Sequence, residues 1–228
     1  MKMLILRLGL VTGACALTLS AGSITVGIDN SGNVFPFGFP VDGPGTRFQE
    51  AYSTSLFSGP MLITGIDFFL APDHPNTLYD ATFTFSLSTI SADVNDLSDT
   101  NFDSNLGADN SLFTTVSLSG DSGPELSFTG TPFLYNPADG NLLLDIQITN
   151  IIGTGDAAFE DGGPNGPSTI ARYQNFGAGT TGYGLVTEFD FSSVPEPASI
   201  GLLGAGLGSM IIFARRRKRN GLSRGARN

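Results

Sequence analysis

Oxygen ligands are the first chemistry the sequence offers. Asp93, Asp96, Asp99, Asn101, Asp103, Asn105 and Asp109 crowd one polar stretch, and calcium takes about six to eight oxygens. Asp99, Asn101 and Asp103 start as a calcium loop starts. The pattern then departs, because Ser104 stands where the sharp turn needs glycine and Asn110 where a bidentate glutamate would close the shell. The stretch reads more simply as a solvated acidic connection, with Phe102 turned into the core. Asp156, Glu160 and Asp161 form a second acidic group. Paired carboxylates hydrolyse glycosides only when held at a set separation across a cleft, so an acidic surface is the plainer reading here too. His74 is the only histidine and adjoins Asp73 within Pro72-Asp73-His74-Pro75. Adjacent residues rarely orient one another, and no Gly-x-Ser-x-Gly elbow accompanies them, which leaves a turn residue. One histidine, with the single cysteine Cys15 in an N-terminal apolar run, excludes a Cys/His zinc site or catalytic pair. Tyr52, Tyr79, Tyr135, Tyr173 and Tyr183 could stack on sugar rings, but packing in or beside a core is their ordinary use. The expectation is a non-enzymatic protein without a cofactor. A glycan-binding module or adhesin, calcium-assisted or not, is the alternative, and a carboxylate-dependent hydrolase the second alternative.

The elements that would carry these groups are strands. Charged residues make up 14% of the 228-residue chain, with 30 glycines, 18 phenylalanines and no tryptophan, a composition far from that of helical proteins. Period-two alternation recurs between turn residues. Ile24, Val26 and Ile28 open it, and Phe48 to Phe57 is a second candidate. Leu62, Thr64, Ile66, Phe68 and Leu70 share a face in the third, and Phe83, Phe85 and Leu87 do so within Tyr79 to Ile90. Asp93 to Asn110 connects, with room for a short helical turn. Leu112, Thr114, Val116 and Leu118 restart the alternation, and with Leu126 and Phe128 beyond Gly120-Asp121-Ser122-Gly123-Pro124 they read as a hairpin. Leu142, Leu144, Ile146 and Ile148 form the cleanest strand, and Thr169 to Phe176 and Leu185 to Phe191 the last two. About nine strands without an amphipathic helix predict an all-β, antiparallel β-sandwich of jelly-roll type. A closed barrel is the alternative.

The two ends of the chain read as addresses. Met1 to Ser23 has basic Lys2 and Arg7, an apolar run from Leu8 to Leu19, and small residues at Ala21 and Ser23, the plan of a secretory signal peptide cut after Ala21 or Ser23. Gly13-Ala14-Cys15 approaches a lipobox, but Thr12 replaces the aliphatic residue such a signal needs. Near the C-terminus stand Val194-Pro195-Glu196-Pro197-Ala198, then seventeen uncharged residues from Ala198 to Ala214, then Arg215-Arg216-Arg217-Lys218-Arg219. As a helix, Ala198 to Ala214 would run ~25 Å, inside the lower range for a membrane span. The basic cluster behind it retains the C-terminus in the cytoplasm. Domain boundaries follow: signal peptide 1–23, β-sandwich 24–193, sorting segment 194–219 and a disordered tail 220–228. Between Ile24 and Val194 only Arg47 and Arg172 oppose twenty carboxylates, a balance of −18 within a whole-chain charge of −10. Such a body repels nucleic acid, which excludes it as a partner.

Taken together, the proline-bracketed glutamate, the apolar segment and the basic cluster resemble the PEP-CTERM sorting signal of exopolysaccharide-producing Gram-negative bacteria. The resemblance covers about thirty residues. It implies that an exosortase, a membrane-embedded cysteine protease, recognises Pro195, Glu196 and Pro197. It also implies export across the inner membrane, an initial membrane anchor, and transfer to the cell surface or extracellular matrix. An association with extracellular polysaccharide is implied as well. Tyr135 to Asp145 is similar to the β-rich bodies of such proteins, which implies a fold and no reaction.

Overall fold

The computed structural model describes residues 21–29, 31–40, 46–162, 170–174, 180–181 and 183–194. The expected signal peptide up to Ser20, with Cys15, lies outside the described residues, as do Pro195, Glu196, Pro197, the apolar segment 198–214, the basic cluster Arg215 to Arg219 and the expected tail. Ser20–Val194 forms a compact unit of its own.

Among the described residues twelve strands run in chain order: β1 (Ala21–Val26), β2 (Ser31–Asn33), β3 (Thr46–Tyr52), β4 (Met61–Phe69), β5 (Thr77–Ile90), β6 (Ser111–Asp121), β7 (Glu125–Tyr135), β8 (Asn141–Ile152), β9 (Phe159–Asp161), β10 (Ile170–Gln174), β11 (Thr180–Thr181) and β12 (Thr187–Ser193). They make a four-stranded sheet ordered β1-β12-β4-β7, a six-stranded sheet ordered β11-β10-β3-β8-β5-β6, and the small pair β2-β9. Their pairings are antiparallel. Among the described residues the helices are two 3-10 turns, Thr54–Leu56 and Phe102–Asn105. The all-β expectation therefore holds, and the short helical turn falls within the acidic connection.

The two large sheets share one core, as in a β-sandwich. Ile63, Ile66, Phe68 and Phe189 meet Phe83, Phe85, Leu87, Leu142, Leu144 and Ile146 there, all fully buried. Phe37 fills the centre, its ring 5.2–6.4 Å from those of Phe68, Phe83, Phe85, Phe128 and Phe159. Burying one such side chain contributes about 1.5–3 kcal/mol, and the aromatic neighbours add to that. The Gly38 backbone passes so close to Ala157 that a Cβ at Gly38 would lie 1.8 Å from the Ala157 carbonyl oxygen. Glycine at that position is what lets the Phe37 segment enter.

β8 lies between β3 and β5 and is covered on both faces. Leu142, Leu144, Ile146 and Ile148 point into the main core, as their alternation predicts. Leu143 points outward yet is buried, because Val94, Leu97 and Phe102 of the acidic connection fold over it together with Ala51 and Ile90.

Four local expectations need correction. The second strand ends at Tyr52, since the Ser53 hydroxyl accepts from the Ser55 amide and opens the Thr54–Leu56 turn. In β4 the register slips between Ile63 and Gly65. A bulge there inserts one residue and reverses the alternation, so Met61 and Ile63 face inward in place of Leu62 and Thr64. A second slip, where β5 meets β6 at Phe85 and Ser86, buries Phe113 and leaves Leu112 exposed. Finally, β6 and β7 are not a hairpin. β6 pairs with β5 and β7 with β4, so the turn at Gly120 and Gly123, both at positive φ, carries the chain from one sheet to the other.

Candidate functional site

The chemistry-bearing groups gather in three places, and the largest lies on the outer face of the four-stranded sheet. Alternation on β12 directs Glu188 and Asp190 to the same face. The register sets Glu188 directly across from Asp67 of β4, and Asp190 across from Gly65. With no side chain at Gly65, Asp190 lies over the strand; a Cβ there would sit 2.7 Å from its Oδ2. Carboxylate oxygens of Asp67, Glu188 and Asp190 all fall within 4.8 Å of one another. Thr25 on β1 donates to Glu188 Oε2 at 2.6 Å, and Ser127 stands across from Asp67 on β7. Burial raises the Asp67 carboxyl above its ordinary value; hydrogen bonding from Ser127 pulls it back, and Asp190, Glu125 and Glu188 push it further up. Like charges placed opposite one another cost stability, and three hard oxygens are half or less of the about six to eight that calcium takes. Beside Asp190 an open depression of about 470 Å³ is lined by Ala21, Gly22, Ser23, Thr64, Phe191 and Ser192.

Sequence reading missed this group. Glu188 and Asp190 show the two-residue spacing of one strand face, but Asp67 joins them only through a register that sequence does not reveal.

The acidic connection is organised around a cation of the protein itself. Arg47 of β3 donates through Nε to Asp145 Oδ1 at 2.5 Å and through a second nitrogen to Asp145 Oδ2 at 3.0 Å. Its remaining nitrogen reaches Asp103 Oδ1 at 2.6 Å. Gln49 donates to Asp145 Oδ1 and to the Phe102 carbonyl, and accepts from Asn105. Burial alone would lower the Arg47 pKa, but hydrogen bonds and charge from Asp145 and Asp103 hold it above its ordinary value. Of the calcium candidates, then, Asp103 is paired with Arg47, while Asn101 supplies a backbone carbonyl to Ser104. Among the described residues no group of three close carboxylates includes Asp99 or Asp103. The register of β10 on β3 sets Arg172 directly across from Glu50, a fully buried carboxylate. Both cations of the body thus stand at strand positions beside buried carboxylates.

The third place surrounds the β2-β9 pair. His74 lies over Gly32, in a pocket of about 320 Å³ shared with Asp29, Ser31, Ala71 and Pro72. Asp73, at positive φ, belongs to the turn before it. Neither His74 nor Asp73 forms an ion pair among the described residues. Burial, with Asp29 nearby, raises the Glu160 carboxyl above its ordinary value. Asp161 is buried and accepts from the Ser31 hydroxyl at 2.7 Å. As consecutive strand residues, Glu160 and Asp161 point to opposite faces. Asp156 sits in the loop ahead, its amide bonded to the Thr77 carbonyl. Glu160 and Asp161 therefore do not form a facing pair, and Asp161, being buried, is not part of the acidic surface the sequence suggests.

Tyr52, Tyr79 and Tyr135 are interior residues. Their hydroxyls bond Thr187, the Pro36 carbonyl and the Gly140 carbonyl, and burial raises all three pKa values. Tyr183 is half-buried.

Compared with known protein families, the chain carries the PEP-CTERM protein-sorting motif at residues 193–218. The match begins on Ser193, the last residue of β12. It takes in Pro195, Glu196, Pro197 and the basic residues through Lys218, and marks an exported protein sorted through its C-terminus by an exosortase. Searches of curated proteins and of solved structures gave no match. No helix of the described residues is long and apolar enough to cross a membrane.

Proposed function

We propose that the chain is a non-enzymatic surface or matrix protein whose β body, of jelly-roll type, is cargo for its C-terminal signal. The observation that carries this reading is the sorting motif at 193–218, joined to β12 without an intervening linker. On this reading a signal peptide takes the N-terminus across the inner membrane. Residues 198–214 then hold the chain in the bilayer, with Arg215 to Arg219 on the cytoplasmic side, until an exosortase acts near Pro195, Glu196 and Pro197. The destination is the cell surface or matrix, in association with extracellular polysaccharide. Two structural features favour cargo over the alternatives. Three of the five tyrosines are buried and so cannot stack on a sugar. Among the described residues the group of three close carboxylates lies on a sheet face, whereas glycoside hydrolysis works in a cleft.

The test replaces Glu196 with Ala in a cell that makes the exosortase. The wild type should leave the membrane fraction for the surface or medium while Glu196→Ala stays membrane-bound. Identical fractionation of the two would overturn the sorting reading. Loss of the wild-type protein from purified extracellular polysaccharide after a mild wash would overturn the association.

A further inference from the structure

An edge strand offers a row of unpaired backbone donors and acceptors to any chain that can lie beside it. Among the described residues the two large sheets end in β1, β7, β11 and β6. Three of these edges are guarded. β11 is two residues long. β7 carries Pro132, which has no amide to give, where its register on β4 slips. β1 runs directly across from Glu188 and Asp190, so a strand arriving there meets two carboxylates one strand away.

β6 lacks such guards. It is 11 residues long, holds no proline, and carries no charge from Ser111 to Gly120. On its outer face Thr115 and Ser117 stand beside Thr84 and Thr82 of β5, and Gln147 and Thr149 of β8 continue the two rows. These rows are uncharged across three strands of a body that carries −18. Their hydroxyls reach one another only at 3.4 Å, long for such bonds. On the inner face Val116 and Leu118 pack against the core but stay half-buried, whereas Phe83, across from Val116, is fully buried. One stretch is already closed, because β7 passes so near that a Cβ at Gly130 would overlap the Phe113 carbonyl oxygen. The open edge therefore runs from Thr114 to Gly120.

We propose that this edge binds a second copy of the chain: Thr114 to Gly120 of two molecules pair antiparallel about a two-fold axis at Ser117 and join their six-stranded sheets into one. Bodies of this charge repel one another, so two copies meet at least cost where carboxylates are absent. A two-fold axis also demands a self-complementary strand, and β6 is one. Centred on Ser117, the open stretch overlaps its copy along its whole length. Thr115 then falls across from Ser119 on the outer face and Val116 across from Leu118 on the inner face. Hydroxyl meets hydroxyl and apolar side chain meets apolar side chain, both favourable cross-strand pairs. The nearest carboxylates stay apart. Asp121 meets Phe113 of the other copy, and Asp80, one strand in between the positions facing Gly120 and Leu118, lies toward the other copy's Thr115. An axis at Thr115 would instead set Asp121 across from Asp109, and like charges opposite one another are destabilising.

The test is independent of the sorting reading and uses the full chain, purified in detergent. Cys15→Ser leaves it free of cysteine, and Thr115, Ser117 and Ser119 are exposed positions at which a single cysteine leaves the core untouched. Residues directly across antiparallel strands lie about 4.5–5.5 Å apart at Cα, within the reach of a disulfide. Under copper phenanthroline, Ser117→Cys should therefore run as a covalent dimer. Thr115→Cys and Ser119→Cys should each stay monomeric alone, because four residue steps, about 13 Å, separate each from its own copy. Mixed together, those two should crosslink. Equal crosslinking of the three single variants, as random collision or a dimer held by another segment would give, overturns the proposal, and so does the absence of a dimer from Ser117→Cys. A Ser117→Cys dimer without crosslinking of the mixture overturns the antiparallel register and the proposal with it.

Discussion

Removing the Arg47 charge should cost the body far more than removing Asp103, the exposed acid paired with it. The Arg47→Met variant retains most of the apolar stem but leaves Asp145, 1% exposed, with only the Gln49 amide facing its carboxylate. Breaking a buried pair from one side costs about 3–5 kcal/mol, because the surviving charge stays buried without its counterion. Asp103 is 82% exposed, so Asp103→Ala forfeits an interaction worth about 0–1 kcal/mol. Urea unfolding of Ser20–Val194, followed by far-ultraviolet circular dichroism, reads the difference. With a slope of about 2 kcal/mol per molar urea, Arg47→Met should lower the midpoint by about 2 M and Asp103→Ala by less than about 0.5 M. Replacing both partners, Arg47→Met with Asp145→Leu, should recover most of the loss, since a buried ion pair and an apolar pair are often close in stability. Equal midpoints for Arg47→Met and Asp103→Ala would refute the claim that Arg47 serves the buried carboxylate.

Three further substitutions test the sheet face and the core entry. Asp67→Asn should stabilise the body at neutral pH by about 0.2–1 kcal/mol, measured as a urea midpoint, because it removes like charges set opposite one another. Since the folded Asp67 carboxyl is raised above its ordinary 3.8, its contribution is fully present below that value and fades as pH rises through the folded one. The variant's advantage should therefore shrink on acidification. Gly38→Ala should destabilise by at least about 1–3 kcal/mol, because its Cβ meets the Ala157 backbone. Gly59→Ala, with nothing within 4 Å of the new Cβ, should be neutral or slightly stabilising in the same urea unfolding.

What could be read ahead of the structure depended on whether a feature was local. β5 and β8 announce themselves because Phe83, Phe85 and Leu87, or Leu142 to Ile148, repeat every second residue for a whole strand. The faces of Leu62 and Leu112 were misassigned because each lies beside a bulge, and a bulge reverses the period without any residue type that signals it. The β6-β7 turn looked like a hairpin because alternation on both sides of a glycine turn carries no information about which sheet each strand joins. Phe37 could not be ranked above the other phenylalanines, since Val34 to Pro40 has no periodicity and its role comes from five distant rings. The Asp67, Glu188 and Asp190 group needed the pairing of β4 with β12. Phe102, by contrast, was legible as a core residue, being a lone aromatic among acids with nowhere favourable to go but inward.

The sorting signal was the most legible feature of all, because its three parts are contiguous and each acts through composition. The fold adds the junction: β12 runs up to Ser193, so whatever acts at Pro195 to Pro197 works within a few residues of a folded sheet. The most direct measurement is the intact mass of the protein recovered from the outer surface of cells that contain an exosortase. The account predicts a mature chain that lacks Arg215 to Asn228. A surface protein that still carries those residues would contradict it.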